Sequence, residues 1–99
     1  MKIITFPKAE WADIQARLAS GLELFTLRVA LEFDKYAVGE ELVTEWGEKV
    51  RVIKKETVTG GVEELKLTYK YFNQLTAPML KDMEGYDEID ILTLVPLKK

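Results

Sequence analysis

Ser20-Gly21 divides two incompatible repeats, and that break sets much of what the chain can become. Before it, Trp11, Ile14 and Leu18 recur at i, i+3 and i+7, with Glu10, Asp13 and Gln15 lying off that face. This is the spacing of a helix with one apolar stripe, and it predicts a helix over 8–20. After it the period falls to two. Leu22, Leu24, Thr26 and Arg28 share one side of an extended chain, and Glu23, Phe25, Leu27 and Val29 share the other. Gly21 stands where a left-handed helix cap is needed. Phe25, Leu27 and Val29 are expected to face the core, and any binding cleft is expected beside this strand.

The remaining chain alternates between the same two periods. Lys2 to Phe6 reads as a short strand that Pro7 stops by removing a ladder donor. Ala30 to Val38 has no clear period and reads as a loop. Gly39 offers a turn into a strand over 41–46, and Gly47 reverses the chain into a β run from Lys49 to Thr59. Gly60-Gly61 is a two-residue hairpin signal between that run and Val62 onward. Pairing Thr59 with Val62 puts Val50, Val52 and Lys54 opposite Tyr71, Tyr69 and Leu67 on one face. The other face sets Arg51, Ile53, Lys55 and Thr57 against Lys70, Thr68, Lys66 and Glu64. Leu65, Tyr69 and Phe72 also satisfy helical spacing, but the glycine pair and the alternation favour a strand for 65–72. Thr76 can cap a short helix with Pro78 in its first turn, Leu80 and Met83 inward and Gly85 at its end. Ile89 to Leu97, apolar on both faces, reads as a last strand that is central or doubly covered. The expected fold is α+β: a curled, mainly antiparallel sheet or small β-barrel. One helix follows the first strand, and a short second helix precedes the last.

Composition narrows function by what is missing. The 99 residues make one domain, 1–99, and 47% apolar with 31% charged residues suits a folded core. There is no cysteine and no histidine, which excludes disulfides, thiolate or imidazole metal sites and serine–histidine triads. Chemistry would fall to carboxylates, lysines, tyrosines or hydroxyls. A net charge of −3 offers no general attraction to phosphates, so nucleic acid would need a local patch. Met1 to Pro7 lacks the apolar run of a signal peptide and nothing approaches membrane-span length, so a cytoplasmic protein without a membrane partner is expected. No cofactor motif is present: Gly60-Gly61 reads as a turn, not a phosphate loop. A metal site is not expected, and a monomer is favoured.

Ser20-Gly21 followed by Phe25-Thr26-Leu27-Arg28 resembles the SGxKxxTiR signature of the ASCH domains, members of the PUA-like superfamily. Tyr36-x-Val38-Gly39-Glu40 before a strand resembles that family's turn. Leu75 with Glu84-Gly85-Tyr86 is similar to its "EG" element. The resemblance implies a β-barrel with a cleft between the first helix, the Thr-Arg strand and the "EG" element, binding RNA or a nucleoside- or nucleotide-like ligand. One small bacterial branch hydrolyses acetylcytidine with a lysine, a threonine and a glutamate. Thr26 and Glu84 fall on the last two positions here, but Glu23 occupies the lysine position. An anion there cannot act as an amine nucleophile or steady an oxyanion. Binding without catalysis is therefore the favoured expectation. An amidohydrolase with Lys35 or Lys81 as substitute, and a protein-interaction module using a strand edge, are the alternatives.

Two groups of residues carry these expectations. Thr26, Arg28 and Glu84, with Tyr36 and Tyr86 at the cleft mouth, form a ligand site, or else Arg28 and Glu84 are a structural ion pair. Arg51, Lys55, Lys66 and Lys70 share a hairpin face beside Lys98-Lys99. They form an anion or RNA-backbone patch, or are neutralised by Glu64 and other nearby acids. Glu23 points away from Thr26 and reads as solvated. Trp11, Tyr69 and Tyr71 fall on expected core faces.

Overall fold

The computed structural model describes residues 1–97. Five strands, β1 (Lys2–Ile4), β2 (Leu24–Arg28), β3 (Glu41–Thr44), β4 (Lys49–Thr59) and β5 (Glu88–Pro96), form one mixed sheet. Their order is β1-β3-β4-β5-β2, with β1 parallel to β3 and the other neighbours antiparallel. Three helices cover it: α1 (Trp11–Ala19), α2 (Gly61–Thr68) and α3 (Ala77–Met83). The two helices expected from periodicity are both present. The sheet does not close into a barrel, because β1 and β2 are its two unpaired edges.

Local chemistry explains the helix ends. The Leu22 amide donates to the Arg17 carbonyl and the Gly21 amide to the Leu18 carbonyl, a paired cap that requires the φ of +74° at Gly21. Thr76 accepts from the Met79 amide, and Pro78 occupies the first turn of α3, where its missing N–H costs nothing.

Each face of the sheet has its own core. On the inner face Leu24, Leu42, Val50, Val52, Leu92 and Leu94 pack under Ile14 and Leu18 of α1. On the outer face Val58, Ile89 and Ile91 pack under Leu65, Tyr69 and Met83. Burial on both faces of β5 follows, as its apolar alternation predicts. Strand β4 serves both cores through a bulge. Val52 pairs with Leu94 and Lys54 with Thr93, so Ile53 is the extra residue. Val50 and Val52 therefore face inward, whereas Lys54, Glu56 and Val58 face outward.

Three expectations are corrected. Residues 61–68 form a helix, and no hairpin joins them to β4. Gly60 and Gly61 have φ of +113° and +75°, and both amides donate to the Asp87 carbonyl, which turns the chain away from β4. That edge of β4 is already taken by β5, from Thr59–Glu88 to Val50–Pro96. Helical spacing then lets Leu65 and Tyr69 reach the outer core. Second, the more deeply buried side of β2 is Leu24, Thr26 and Arg28. Leu27 and Val29 are half-buried against the outer core, and Phe25 is half-buried against Tyr71. Third, Ala30 to Val38 is more ordered than a plain loop: a 3-10 turn at Ala30–Glu32 folds it over the end of β2.

Candidate functional site

Arg28 is only 7% exposed, and its partners come from three segments. Nε donates to the Thr26 hydroxyl at 3.2 Å, and Nη1 donates to the Thr5 carbonyl at 2.8 Å and to Glu32 Oε2 at 2.6 Å. The guanidinium also lies 4.8 Å over the Phe6 ring, a cation–π contact that fixes its plane. Glu32 accepts a second hydrogen bond, from the Tyr36 hydroxyl at 2.8 Å. Burial alone would push the Glu32 carboxyl up. The hydrogen bonds from Arg28 and Tyr36, with the charges of Arg28 and Lys35, outweigh it and hold the group below the ordinary value. Burial, and then the hydrogen bond to Glu32, push the Tyr36 phenol up.

One pair of donors on Arg28 is left over. Among the described residues Nη2 has no acceptor, while every fully enclosed side-chain nitrogen or oxygen has a partner. Nη2 therefore opens to solvent. Arg28 lines a cleft of about 160 Å³, where it and Thr26 meet Phe6, Glu10, Met79 and Asp82. The Thr26 hydroxyl accepts from Arg28, which leaves its own proton free to donate. The cleft thus has donors on its floor, carboxylates of the exposed Glu10 and Asp82 at its rim, and an apolar wall. Glu10 and Met79 also border a second hollow, of about 300 Å³, that passes Leu24 and Phe25. The two hollows together follow the unpaired edge of β2.

The expected residues are only partly brought together. Thr26 and Arg28 do share the cleft. Glu84 does not line it; it is exposed beyond α3, and the carboxylate bound to Arg28 is Glu32. Tyr36 is not at a cleft mouth but 2% exposed beneath Glu32. Tyr86 borders a separate, open hollow with Ala30 and Phe33. Glu23 is exposed as expected, and neither Lys35 nor Lys81 lines the cleft.

The four cations do not form one patch. The bulge at Ile53 puts Arg51 and Lys55 on opposite faces, Arg51 beside Val95 and Lys55 beside Leu92. Arg51 pairs with Glu41 at 2.7 Å, and Lys55 pairs with Asp34. Lys66 lies on α2 and Lys70 beyond its end, both exposed. Lys98-Lys99 lies outside the described residues. Of the aromatics, Tyr69 is buried and Trp11 partly so, but Tyr71 is 37% exposed.

Sequence reasoning missed Glu10, Glu32 and Asp82. Asp82 was legible, since Met79, Asp82 and Met83 are spaced i, i+3, i+4 on one face of α3. Glu32 follows Arg28 by four residues, but through an irregular turn that no period signals.

Among the described residues no three acidic side chains cluster as metal donors, and no helix is long and apolar enough to cross a membrane. The class that fold and site define is a small α+β domain with a five-stranded mixed sheet and a cleft along one edge strand. No family model matches the chain, and neither a curated protein nor a solved structure matches it.

Proposed function

We propose that the cleft beside Thr26 and Arg28 binds the edge of a nucleobase, in a free nucleoside or at an unpaired position in RNA, without acting on it chemically. The observation that carries this reading is the unpaired Nη2 group of Arg28, a residue that lines the cleft and whose guanidinium is held in place by three other hydrogen bonds. A fixed donor pair of this kind suits a ring carbonyl and its neighbouring acceptor nitrogen. Glu10 and Asp82 at the rim suit an exocyclic amine, so a cytosine-like edge fits better than a uracil-like one. Phe6 and Met79 supply the apolar contact that a flat ring needs.

Size and charge define the ligand further. The cleft is smaller than the roughly 300–1,000 Å³ of pockets that enclose drug-sized ligands. It accommodates one ring, with the sugar outside. Two carboxylates at the rim disfavour a phosphate close by, so base contacts and not backbone contacts carry recognition. Lysine does not line the cleft, which favours binding over an amide-cleaving reaction that needs an amine.

Calorimetric titration with cytidine and uridine tests the proposal. Cytidine is expected to bind, uridine to bind more weakly, and Asp82→Asn to reduce the preference without changing the melting temperature. Equal affinity for the two nucleosides, or none for either, contradicts it.

A further inference from the structure

A row of three residues crosses the outer face of the sheet: Phe25 on β2, Thr93 on β5 and Lys54 on β4, side by side in register. The chain leaving α2 passes over this row and leaves a hollow of about 250 Å³ between them, walled by Tyr69 and Tyr71. Lys54 belongs to this row only because of the bulge at Ile53. An unbroken alternation would have put it inward with Val50 and Val52. Bulges that re-aim a side chain in this way are concentrated near functional sites.

Two hydroxyls in the hollow are unpaired. Thr93 is 4% exposed and Tyr69 9% exposed, and among the described residues neither hydroxyl has a hydrogen-bond partner. Because every fully enclosed polar side-chain atom is partnered, both hydroxyls are accessible, and both residues line the hollow. Each hydroxyl thus sits on a nearly buried residue yet is itself accessible, and it is ready to bond a partner from outside. The wall is aromatic: Tyr71 stacks on Phe25 at 5.4 Å and meets the edge of Tyr69 at 5.9 Å. The rim carries two cations and one carboxylate. Lys54 is paired with Glu56, which also lines the hollow, at 2.7 Å, whereas Lys70, 5.7 Å from the centre of the Tyr71 ring, has no acidic partner among the described residues and supplies the one uncompensated charge.

We propose that this hollow is a second ligand site, separate from the β2 cleft, for a small planar ring that carries a hydrogen-bonding substituent and one anionic group. The ring lies against Tyr69 and Tyr71, its polar substituent bonds the Thr93 and Tyr69 hydroxyls, and the anion pairs with Lys70. The site does not depend on the nucleobase reading, since none of these residues lines the Arg28 cleft, although Tyr69 and Tyr71 also border the hollow of about 300 Å³ next to it.

Amide-shift NMR titration of the whole chain with 4-hydroxybenzoate tests this, using neutral 4-hydroxybenzamide and cationic tyramine as controls. Saturable shifts at Lys54, Tyr69 and Thr93 are expected with 4-hydroxybenzoate. The controls should bind roughly tenfold more weakly, the scale of losing one charge-assisted contact. Lys70→Gln should abolish the preference for the anion. Thr93→Val, which keeps the shape of the side chain and removes its hydroxyl, should weaken binding severalfold while the melting temperature holds or rises. The proposal is overturned if 4-hydroxybenzoate gives no saturable shifts at these residues, or if the three probes bind alike. It is also overturned if Thr93→Val lowers stability and leaves binding unchanged, which would make the hydroxyl a part of the core.

Discussion

Arg28 Nη1 and the Thr5 carbonyl oxygen, 2.8 Å apart, join the end of β2 to the segment that follows β1. These are the two edges of the sheet, so a side chain ties what strand pairing leaves open. The same guanidinium holds Glu32, and Arg28 also lines the cleft. Fold and candidate site are coupled through one residue, and a change at Arg28 reads out both.

Arg28→Met is expected to destabilise the protein by about 3 kcal/mol, the lower end of the range for breaking a buried ion pair, because Glu32 keeps some solvent contact. Arg28→Lys keeps the charge but not the three directed donors, and about 1–2 kcal/mol should be lost. Urea denaturation of both variants measures the difference. A Lys variant as stable as the parent would mean that charge alone matters at this position.

Glu32 and Tyr36 set opposite pH limits. Glu32 is held below the ordinary 4.5, so the fold favours its charged form. That contribution is complete above 4.5 and is lost as the pH falls through the lower folded value. Tyr36 is raised above the ordinary 10.0, so the fold favours the neutral phenol. Its contribution is complete below 10.0 and is lost as the pH rises through the folded value. Urea midpoints followed across pH should therefore fall less steeply on the acid side for Glu32→Gln, and less steeply on the alkaline side for Tyr36→Phe. Profiles parallel to the parent's would separate this pair from the pH response.

Deletion of Ile53 should be tolerated. The ladder skips this residue, so removing it keeps every pairing from Lys54–Thr93 to Thr59–Glu88 on its present face. A loss of roughly 1 kcal/mol is expected from the altered twist, typical of a single mild change. In a strand without the bulge, the same deletion would turn Val58 out of its core and unfold the chain. Thermal unfolding distinguishes the two outcomes.

Leu65 and Leu67 should behave in opposite ways. Leu65 is fully buried under α2 and Leu67 is 80% exposed. Leu65→Ala should cost about 2–5 kcal/mol. Leu67→Ala should stay within about 0.5 kcal/mol. A hairpin would instead put both on the same face of one strand, opposite Glu56 and Lys54, and the two variants would then cost about the same.

The legible parts of the chain are those where the local pattern and the tertiary need agree. The α1 stripe with its Gly21 cap, the Thr76–Pro78 start of α3 and the two-sided burial of β5 all follow from residue spacing. The hairpin failed because Gly60-Gly61 supplies the same positive φ to a hairpin turn or to a turn into a helix. What decides is Asp87, which receives both amides from far along the chain. The cationic patch failed with it, and a one-residue bulge leaves no trace in a β-rich run such as Lys49 to Thr59. In the site, Thr26 and Arg28 were visible as neighbours on one strand side. Glu10, Glu32 and Asp82 arrive from three other segments, and only tertiary packing assembles them.

The most direct test of the central claim is an amide-shift titration of the isotope-labelled protein with cytidine. Binding in the β2 cleft predicts saturable shifts at Thr26, Leu27, Arg28 and Asp82, together with a shift of the Arg28 Nε–H signal. Shifts confined to other surfaces, or none at millimolar cytidine, would contradict it.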